Sequence, residues 1–237
     1  MVVVIPTLNE QDSIGSAVRS IPRPPVDRIL VADGPSTDAT AARAMEAGAE
    51  VIKTRRGYGR ACAAAIEAAS EAEIIVFMDG DGADDPDCIA DLIAPIRAGT
   101  HDFVIGSRVT GAREPGSMAW HQVAAGRFAG ALLRVLYGVH YTDMCAFRAI
   151  RREQLLRLHM REMTYGWNIE MQMRAARAGL RILEIPVPYR RRSGGTSKVA
   201  GSLSGTIRAA TRIVATIARI AADRQSDRIP PMRERDA

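Results

Sequence analysis

Short apolar runs alternate with stretches of helical periodicity through the first half of the chain. Several runs are almost continuously apolar, which is typical of parallel strands covered on both faces. The predicted strands are Val2–Ile5, Arg28–Ala32, Glu50–Lys53, Ile74–Met78 and Phe103–Gly106. The predicted helices between them are Ser13–Ser20, Thr37–Ala47, Gly59–Ala69 and Asp87–Ala98. This alternation predicts an α/β fold with a mostly parallel sheet and right-handed crossovers.

After Gly111 the pattern becomes mainly helical. The predicted helices here are His121–Tyr137, Glu153–Met160 and Trp167–Ala178, and Arg181–Pro188 is a further predicted strand. The segment Thr142–Ile150 shows no clear periodicity. The last predicted helix, Ile207–Ala222, is amphipathic, because its arginines lie largely off its apolar stripe.

Composition makes the chain an ordinary globular one. Of the 237 residues, 47% are hydrophobic and 25% are charged. No run approaches the ~18 consecutive apolar residues of a transmembrane span, and the first residues lack the features of a signal peptide. Three widely spaced cysteines (Cys62, Cys88 and Cys145) indicate reduced thiols. We therefore expect a cytoplasmic protein.

The charge balance favours anionic partners. Lysine and arginine exceed aspartate and glutamate by 32 to 27, a formal net charge of +5. Such an excess suits phosphates, nucleic acid or an acidic membrane face, and it does not choose among them.

Polar residues gather where predicted strands end. The first strand is followed by Pro6-Thr7-Leu8-Asn9-Glu10, the second by Asp33-Gly34-Pro35-Ser36-Thr37-Asp38, and the fourth by Asp79-Gly80-Asp81-Gly82-Ala83-Asp84-Asp85. In open α/β sheets, ligands bind outside the carboxyl ends of the strands. Each segment alone could be an ordinary turn. Together they predict a ligand site at one edge of the sheet.

Asp79 and Asp81 are the sharpest chemical signal. Residues two apart project from the same side of an extended chain, so their carboxylates can converge. Paired carboxylates suit Mg²⁺ or Mn²⁺, especially when substrate phosphates complete the coordination shell. The intervening Gly80 allows the backbone to approach a ligand closely. We therefore predict a divalent cation at Asp79 and Asp81.

A basic, glycine-rich segment, residues 190–198, lies near the other end of the chain. Its arginines, hydroxyl groups and paired glycines suit a loop that holds phosphate, although a solvated basic loop would have the same composition. An acidic metal site and a basic phosphate loop in one chain together predict a substrate that contains a diphosphate.

These segments, in this order, resemble family 2 glycosyltransferases of the GT-A fold, in the branch that includes dolichol-phosphate mannose and glucose synthases. The resemblance covers residues 2–220. It implies a Rossmann-like, mostly parallel sheet flanked by helices, followed by the C-terminal amphipathic helix. It also implies that the nucleotide-sugar donor is bound by Pro6, Leu8, Asn9, Glu10, Asp33, Asp79, Gly80, Asp81, Arg108, Arg192 and Lys198.

The resemblance assigns further roles in the second half. Arg108 in Gly106-Ser107-Arg108 corresponds to a position near the donor sugar, and Asp143 lies beside the reaction centre. Asp143 is the candidate for orienting the acceptor or acting as a base. Arg148 and Glu170 are expected on the acceptor side. The implied domain is residues 1–200, with a nucleotide-binding half (1–110) and an acceptor-side half (111–200), then the helix 201–222 and a disordered tail, 223–237.

Three positions depart from the family pattern. Ala83 stands where the family often has a residue able to bind the metal, so that Asp84 or water would have to substitute. Pro35 is inserted in the motif after the second strand, and Met144-Cys145-Ala146 replaces a segment that usually contains glycine. These departures affect metal choice and sugar or acceptor identity more than the reaction class.

The implied reaction is inverting transfer of a hexose from a nucleoside-diphosphate sugar, of the UDP-glucose or GDP-mannose type, to a polyprenyl phosphate. A glycolipid, polysaccharide or small-molecule acceptor is the alternative. The final helix either lies on the inner face of the membrane or packs on the domain. The sequence does not identify the donor nucleotide. It also leaves the oligomeric state open, and a homo-oligomer is one possibility.

Three rival functions are less favoured. Nucleotidyl transfer would require a glycine-rich phosphate loop after the first strand, which the sequence lacks. A dinucleotide oxidoreductase is disfavoured because no GxGxxG follows that strand. A non-enzymatic anion- or nucleic-acid-binding module would explain the basic charge. With 5% aromatic residues and no recognised docking motif, however, nucleic acid is not an expected partner.

Overall fold

A computed structural model describes residues 1–194 and 203–222. Its first half follows the predicted alternation of strands and helices. The strands are β1 (Val2–Thr7), β2 (Arg28–Asp33), β3 (Glu50–Lys53), β4 (Ile74–Phe77) and β5 (Phe103–Ser107). The helices are α1 (Ile14–Ser20), α2 (Thr40–Glu46), α3 (Tyr58–Ala68) and α4 (Ile89–Arg97), with a 3₁₀ turn at Pro86–Cys88 before α4.

The second half contributes four helices and two strands. The helices are α5 (Trp120–Tyr137), α6 (Arg152–Arg157), α7 (Trp167–Arg177) and α8 (Leu203–Ala222). The strands are β6 (Arg148–Arg151) and β7 (Ile182–Pro186). Both strands join the sheet of the first half, so residues from both halves share one framework.

The seven strands form one mostly parallel sheet, as the sequence predicts. The order is β3-β2-β1-β4-β6-β5-β7, and β6 alone runs antiparallel to its neighbours β4 and β5. The central strands β1, β2 and β4 are buried along almost their whole lengths, as expected for a sheet covered on both faces. Their carboxyl ends therefore open onto the same edge of the sheet.

Strand β6 is the one element that the sequence pattern did not reveal. It lies in the segment Thr142–Ile150, and its first residue, Arg148, is fully buried. A buried arginine breaks the apolar run that would mark a strand between two others. The strand forms because β4 and β5 supply hydrogen-bonding partners on both sides, which is a tertiary effect.

Helix α2 begins three residues later than predicted. The Asp38 carboxylate accepts a hydrogen bond from the backbone N–H of Thr40 at 3.0 Å, and this contact stabilises a turn before the first helical residue. Helix α6 is likewise shorter than the predicted Glu153–Met160, because His159 adopts φ +47° just beyond its end.

Helix α5 packs closely on the segment that leads into β6. A Cβ atom added to Gly130 would lie 1.9 Å from the backbone oxygen of Tyr141, so only glycine permits this approach. One turn earlier, Gly126 faces Thr142 and Asp143. The buried face of α5 therefore covers the Tyr141–Asp143 segment.

Helix α8 packs on the domain through α7, which is one of the two placements the sequence left open. Its Arg212 and Arg219 contact the buried carboxylates of Glu162 and Glu170, and Ile220 is buried beside them. Within the described residues, no helix has the length and apolar character needed to span a bilayer. The predicted disordered tail, 223–237, lies outside the described residues, and the division into two functional halves stays a prediction.

Candidate active site

A cavity of about 490 Å³ opens at the carboxyl ends of β1, β2 and β4. This size falls within the range of small-molecule binding sites. The walls combine strand-end residues from the first half with residues around the start of α3, before α7 and after β7. The lining residues are Pro6, Thr7, Leu8, Glu10, Gly34, Pro35, Arg56, Gly57, Tyr58, Ala61, Asp79, Gly80, Asp81, Thr164, Tyr165 and Arg192.

Three of the residues predicted to hold the nucleoside line this cavity: Pro6, Leu8 and Glu10. Asn9 instead joins the loops after β1 and β2. Its backbone N–H donates to the Ser36 hydroxyl at 2.9 Å, and its side-chain oxygen accepts from the N–H of Thr37 at 2.9 Å. Asn9 thus shapes one wall of the cavity without lining it.

Asp33 lies behind the cavity wall and is fully buried. Its carboxylate binds the Lys53 ammonium group at 2.7 Å and accepts hydrogen bonds from the hydroxyl groups of Thr7 and Ser36. Because Thr7 itself lines the cavity, these contacts hold the end of β1 against the end of β2. The predicted contact between Asp33 and the nucleoside stays a prediction.

Asp79 and Asp81 both line the cavity at the end of β4, and Gly80 lies between them. Asp84, which is buried just behind, accepts a hydrogen bond from the backbone N–H of Asp79 at 3.1 Å. Removal from water, followed by repulsion from Asp81, raises the pKa of Asp79 to about 6. Burial and repulsion, here mainly from Asp79 and then from Asp81, raise the pKa of Asp84 to about 8. Such a cluster favours a neutralising cation.

The second oxygen of Asp81 is suited to a metal ion. Oδ1 accepts from the Ala83 backbone N–H at 3.0 Å. Oδ2 is buried without a hydrogen-bond partner, although the guanidinium of Arg192 forms an ion pair with it at 3.0 Å. No group of three metal-binding side chains occurs among residues 1–194 and 203–222. Asp79 and Asp81 would therefore need substrate phosphates or water to complete a coordination shell.

The basic segment begins directly against the acidic loop. The backbone N–H groups of Arg190 and Ser193 donate to the carbonyl oxygens of Ala83 and Asp81 at 2.9 and 3.0 Å. Gly82 has φ +75°, and a Cβ atom there would lie 2.5 Å from the Ser193 hydroxyl. Arg192 is thereby held beside the two carboxylates. Lys198, the other predicted diphosphate contact, lies outside the described residues.

Arg108 and Asp143 form a separate ion pair away from the cavity lining. The guanidinium of Arg108 donates from Nε and Nη2 to the two carboxylate oxygens at 2.7 and 2.8 Å. It also lies 5.0 Å from the centre of the Tyr189 ring. Burial alone would raise the pKa of Asp143, but the hydrogen bonds and charge of Arg108 hold it below the ordinary value. This arrangement favours an orienting role for Asp143 over proton acceptance.

The structure does not bring Arg148 or Glu170 to the cavity. Arg148 is buried within the sheet and donates to the backbone oxygens of Cys145 and Asn168. Glu170 is buried between α7 and α8, where Arg174 and Arg219 bind its carboxylate at 3.0 and 3.1 Å. Their acceptor-side role stays a prediction, and their observed contacts are internal.

Several cavity residues were not singled out from the sequence. Arg56, Gly57 and Tyr58 follow β3, and the strand-end rule could have indicated them. Thr164 and Tyr165 precede α7 and carry no motif that would identify them. The complete cavity thus places two carboxylates and a guanidinium at one side of a pocket large enough for a nucleotide. Metal-assisted binding of a diphosphate suits this arrangement.

Comparison with known proteins agrees with this chemistry. The family model described as glycosyl transferase family 2 matches residues 2–158. An uncharacterised glycosyltransferase of Mycobacterium tuberculosis is 38% identical over 211 residues, which cover 86% of this chain and 92% of that protein. An undecaprenyl-phosphate mannosyltransferase of Micrococcus luteus is 32% identical over 223 residues, covering 86% of this chain and 89% of that protein.

A solved structure shows the same fold. It is the glucosyl-3-phosphoglycerate synthase of Mycobacterium tuberculosis in complex with Mn²⁺, uridine diphosphate and glucosyl-3-phosphoglycerate. The two chains superpose with a TM-score of 0.74 and 25% identity, covering 93% of this chain and 79% of the synthase. The predicted GT-A architecture is thus confirmed.

Proposed function

Because the chain belongs to glycosyl transferase family 2, we propose that this glycosyltransferase moves a hexose from a nucleoside-diphosphate sugar to a polyprenyl phosphate, with inversion. The observation that carries the proposal is the convergence of Asp79, Asp81 and Arg192 at the cavity. An acidic pair beside a guanidinium suits a diphosphate bridged by a divalent cation. The glucosyl-3-phosphoglycerate synthase, whose crystals hold Mn²⁺ or Mg²⁺ with uridine diphosphate, supports the same donor chemistry.

The Asp79 and Asp81 carboxylates would hold Mg²⁺ or Mn²⁺, which supplies positive charge to the leaving diphosphate. The Arg192 guanidinium already forms an ion pair with Asp81, and a bound diphosphate would also pair with this guanidinium. The lipid phosphate needs little activation, since its second pKa of about 6 leaves it largely ionised at neutral pH. The tasks left to the protein are positioning and charge stabilisation. Arg108, held by Asp143, would serve the positioning of the sugar or acceptor phosphate.

The polyprenyl phosphate acceptor is supported by the name of the Micrococcus relative, which is similar over most of both chains. The structural relative was crystallised with a phosphoglycerate product, so a small phosphorylated acceptor is the second candidate. We propose a cytoplasmic enzyme that works at the inner membrane surface, where a polyprenyl phosphate would be accessible.

A product assay tests the reaction and its acceptor. The full chain is incubated with Mn²⁺, UDP-glucose or GDP-mannose labelled in the sugar, and either decaprenyl phosphate or 3-phosphoglycerate. Labelled lipid together with free nucleoside diphosphate is the expected result. Labelled phosphoglycerate would assign the second acceptor, and release of pyrophosphate would contradict glycosyl transfer altogether.

A further inference from the structure

The carboxylate of Glu184, on the edge strand β7, binds one short segment of the chain. Its Oε1 accepts hydrogen bonds from the backbone N–H groups of Thr142 and Asp143 at 3.0 and 3.1 Å. Its Oε2 accepts from the Thr142 hydroxyl at 2.8 Å and shares the Thr142 N–H at 3.0 Å. Glu184 therefore fixes the backbone at the point where Asp143 leaves it.

A second carboxylate next to Asp143 is electrostatically unfavourable. Burial raises the pKa of Glu184, and the negative charge of Asp143 adds to this effect, whereas the hydrogen bonds from Thr142 and Asp143 oppose it. The groups that face Glu184 in these contacts are all donors: two N–H groups and one O–H group. A carboxylate offers two acceptor oxygens to such a set, while the amide of glutamine would turn an NH₂ group towards some of them. The hydrogen bonds thus explain the choice of glutamate.

Asp143 is held by side chains from three parts of the fold. Glu184 of β7 accepts from its N–H, and Gln172 of α7 donates to its carbonyl oxygen at 2.9 Å. Its carboxylate is bound by Arg108, which directly follows β5. Because β7 pairs with β5, with Glu184 opposite Ile105, the residues on both sides of Asp143 belong to neighbouring strands. The place of Asp143, and with it the orientation of Arg108, therefore depends on Glu184.

A chain of hydroxyl groups extends from Glu184 to the loop after β5. The hydroxyl oxygens of Thr142 and Ser107 are 2.6 Å apart. Since the Thr142 O–H donates to the carboxylate, the Ser107 O–H is left to donate to Thr142. The Ser107 oxygen in turn accepts from the N–H of Thr110 at 3.2 Å. Glu184 thus sets the direction of hydrogen bonds on both sides of Arg108 in the sequence.

We propose that Glu184 is a positioning residue for glycosyl transfer, which sets the place of Asp143 and, through it, of Arg108. Glu184 is not among the described residues that line the cavity, so its effect on the reacting groups passes through Asp143. This role deepens the proposed function and rests on it, because Arg108 is there assigned to position the sugar or the acceptor phosphate.

Steady-state kinetics of Glu184→Gln give the first test. We expect kcat to fall about 10-fold, because Arg108 is less well oriented. The KM for the nucleotide sugar and the metal-dependent affinity for the nucleotide should not change, since Asp79 and Asp81 are untouched. The control is Asp102→Asn, which alters a carboxylate that binds the Arg181 backbone at the other end of β5 and should keep kcat. A parallel loss of kcat and nucleotide affinity in Glu184→Gln would overturn the proposal.

A double variant separates positioning through Asp143 from general damage. If Glu184 acts through Asp143, Glu184→Gln/Asp143→Asn should have the same kcat as Asp143→Asn alone. Losses of kcat that multiply in the double variant would contradict the proposal, and so would an unchanged kcat in Glu184→Gln. Thr142→Val removes the hydroxyl contact and keeps the backbone contacts. It replaces Glu184→Gln if that variant does not fold, with an expected loss of kcat of about threefold.

Proton exchange at Arg108 tests the geometry without any turnover. The Nε–H group of Arg108, identified by nuclear magnetic resonance from its absence in Arg108→Lys, donates to Asp143 and should exchange slowly in wild type. We expect about tenfold faster exchange in Glu184→Gln and no change in Asp102→Asn. Unchanged exchange in Glu184→Gln would overturn the proposal. Wild-type protein that shows this exchange pattern but transfers no sugar would contradict the proposed function and support the placement of Arg108 by Glu184.

Discussion

Arg108 and Asp143 are joined in a two-point ion pair that is reinforced by the backbone of the arginine. Besides the two guanidinium contacts, the N–H of Arg108 donates to Asp143 Oδ2 at 3.1 Å. Arg181 and Asp102 repeat this geometry, with side-chain contacts of 3.0 and 2.7 Å and a backbone contact of 3.1 Å. The first pair lies beneath α5 and the second joins the start of β5 to β7. The Arg181–Asp102 pair can therefore serve as a structural control for the Arg108–Asp143 pair.

The variant Asp143→Asn is expected to lower turnover by about 100-fold, because Arg108 would no longer be held in one orientation. It should also reduce the free energy of unfolding by about 3 kcal/mol, since a largely buried guanidinium loses its counter-charge. Steady-state kinetics and urea unfolding measure the two effects. Asp102→Asn is the control and should lose stability without loss of kcat. Equal effects of both variants on kcat would argue against a role for Asp143 in the reaction.

The Asp102–Arg181 pair predicts a specific acid dependence of stability. Hydrogen bonding and charge from Arg181 lower the pKa of Asp102 from its ordinary value of 3.8. The contribution to stability is therefore fully present above that value and is lost as the pH falls through the lower, folded-state pKa. The difference in unfolding free energy between wild type and Asp102→Asn should stay constant from pH 7 to about 5 and shrink below pH 4. A difference that grows on acidification would refute this explanation.

Glu162 connects the C-terminal helix to the wall of the cavity. Its carboxylate accepts hydrogen bonds from Arg212 and Thr216 of α8 at 3.1 and 3.2 Å. It also accepts from the backbone N–H of Thr164 at 3.0 Å, and Thr164 lines the cavity. The docked α8 therefore helps to fix that wall.

We expect Arg212→Gln to raise the KM for the nucleotide sugar about fivefold while kcat changes little, because the wall loosens without altering the reacting groups. Initial rates across donor concentrations measure this. Arg157→Gln, which breaks an exposed pair with Glu153 on α6, should leave KM unchanged. A lower melting temperature in Arg212→Gln with an unaltered KM would show that α8 contributes stability only.

Asp81→Asn should greatly weaken metal-dependent nucleotide binding while preserving the fold. Asp81 is one of three crowded carboxylates, so its neutralisation relieves repulsion on Asp79 and Asp84. The metal-free variant is therefore expected to be at least as stable as wild type, with nucleotide affinity in Mn²⁺ reduced about 100-fold or more. Titration calorimetry and thermal unfolding measure both. Asp85→Asn, in the same loop but paired with Arg190, should bind normally.

The sequence predicted the parts of the site that depend on local chemistry. Asp79 and Asp81 follow one buried strand and Pro6 lies near the end of another, and parallel topology brings such strand ends together. The mostly parallel α/β sheet followed from the alternation of strands and helices, and the GT-A assignment followed from the family resemblance. These features are encoded over a few consecutive residues.

What the sequence did not reveal depends on packing between distant segments. Arg148 lies on a strand that exists because both neighbours pair with it, and Glu170 is held by arginines from α7 and α8. Tyr165 reaches the cavity through the loop before α7, whose position is set by Glu162 and α8. No local pattern encodes such contacts, so their roles required the three-dimensional arrangement.

Nucleotide binding tests the central claim most directly. Wild-type protein is titrated with UDP, GDP, UDP-glucose and GDP-mannose, each with Mn²⁺, Mg²⁺ or EDTA, and its thermal unfolding is followed. One nucleotide is expected to stabilise the fold by about 2.7 kcal/mol at ~100 times its Kd, with metal and not with EDTA. Folded protein that shows no stabilisation by any nucleotide, or the same stabilisation in EDTA, would contradict a metal-dependent donor site at Asp79 and Asp81.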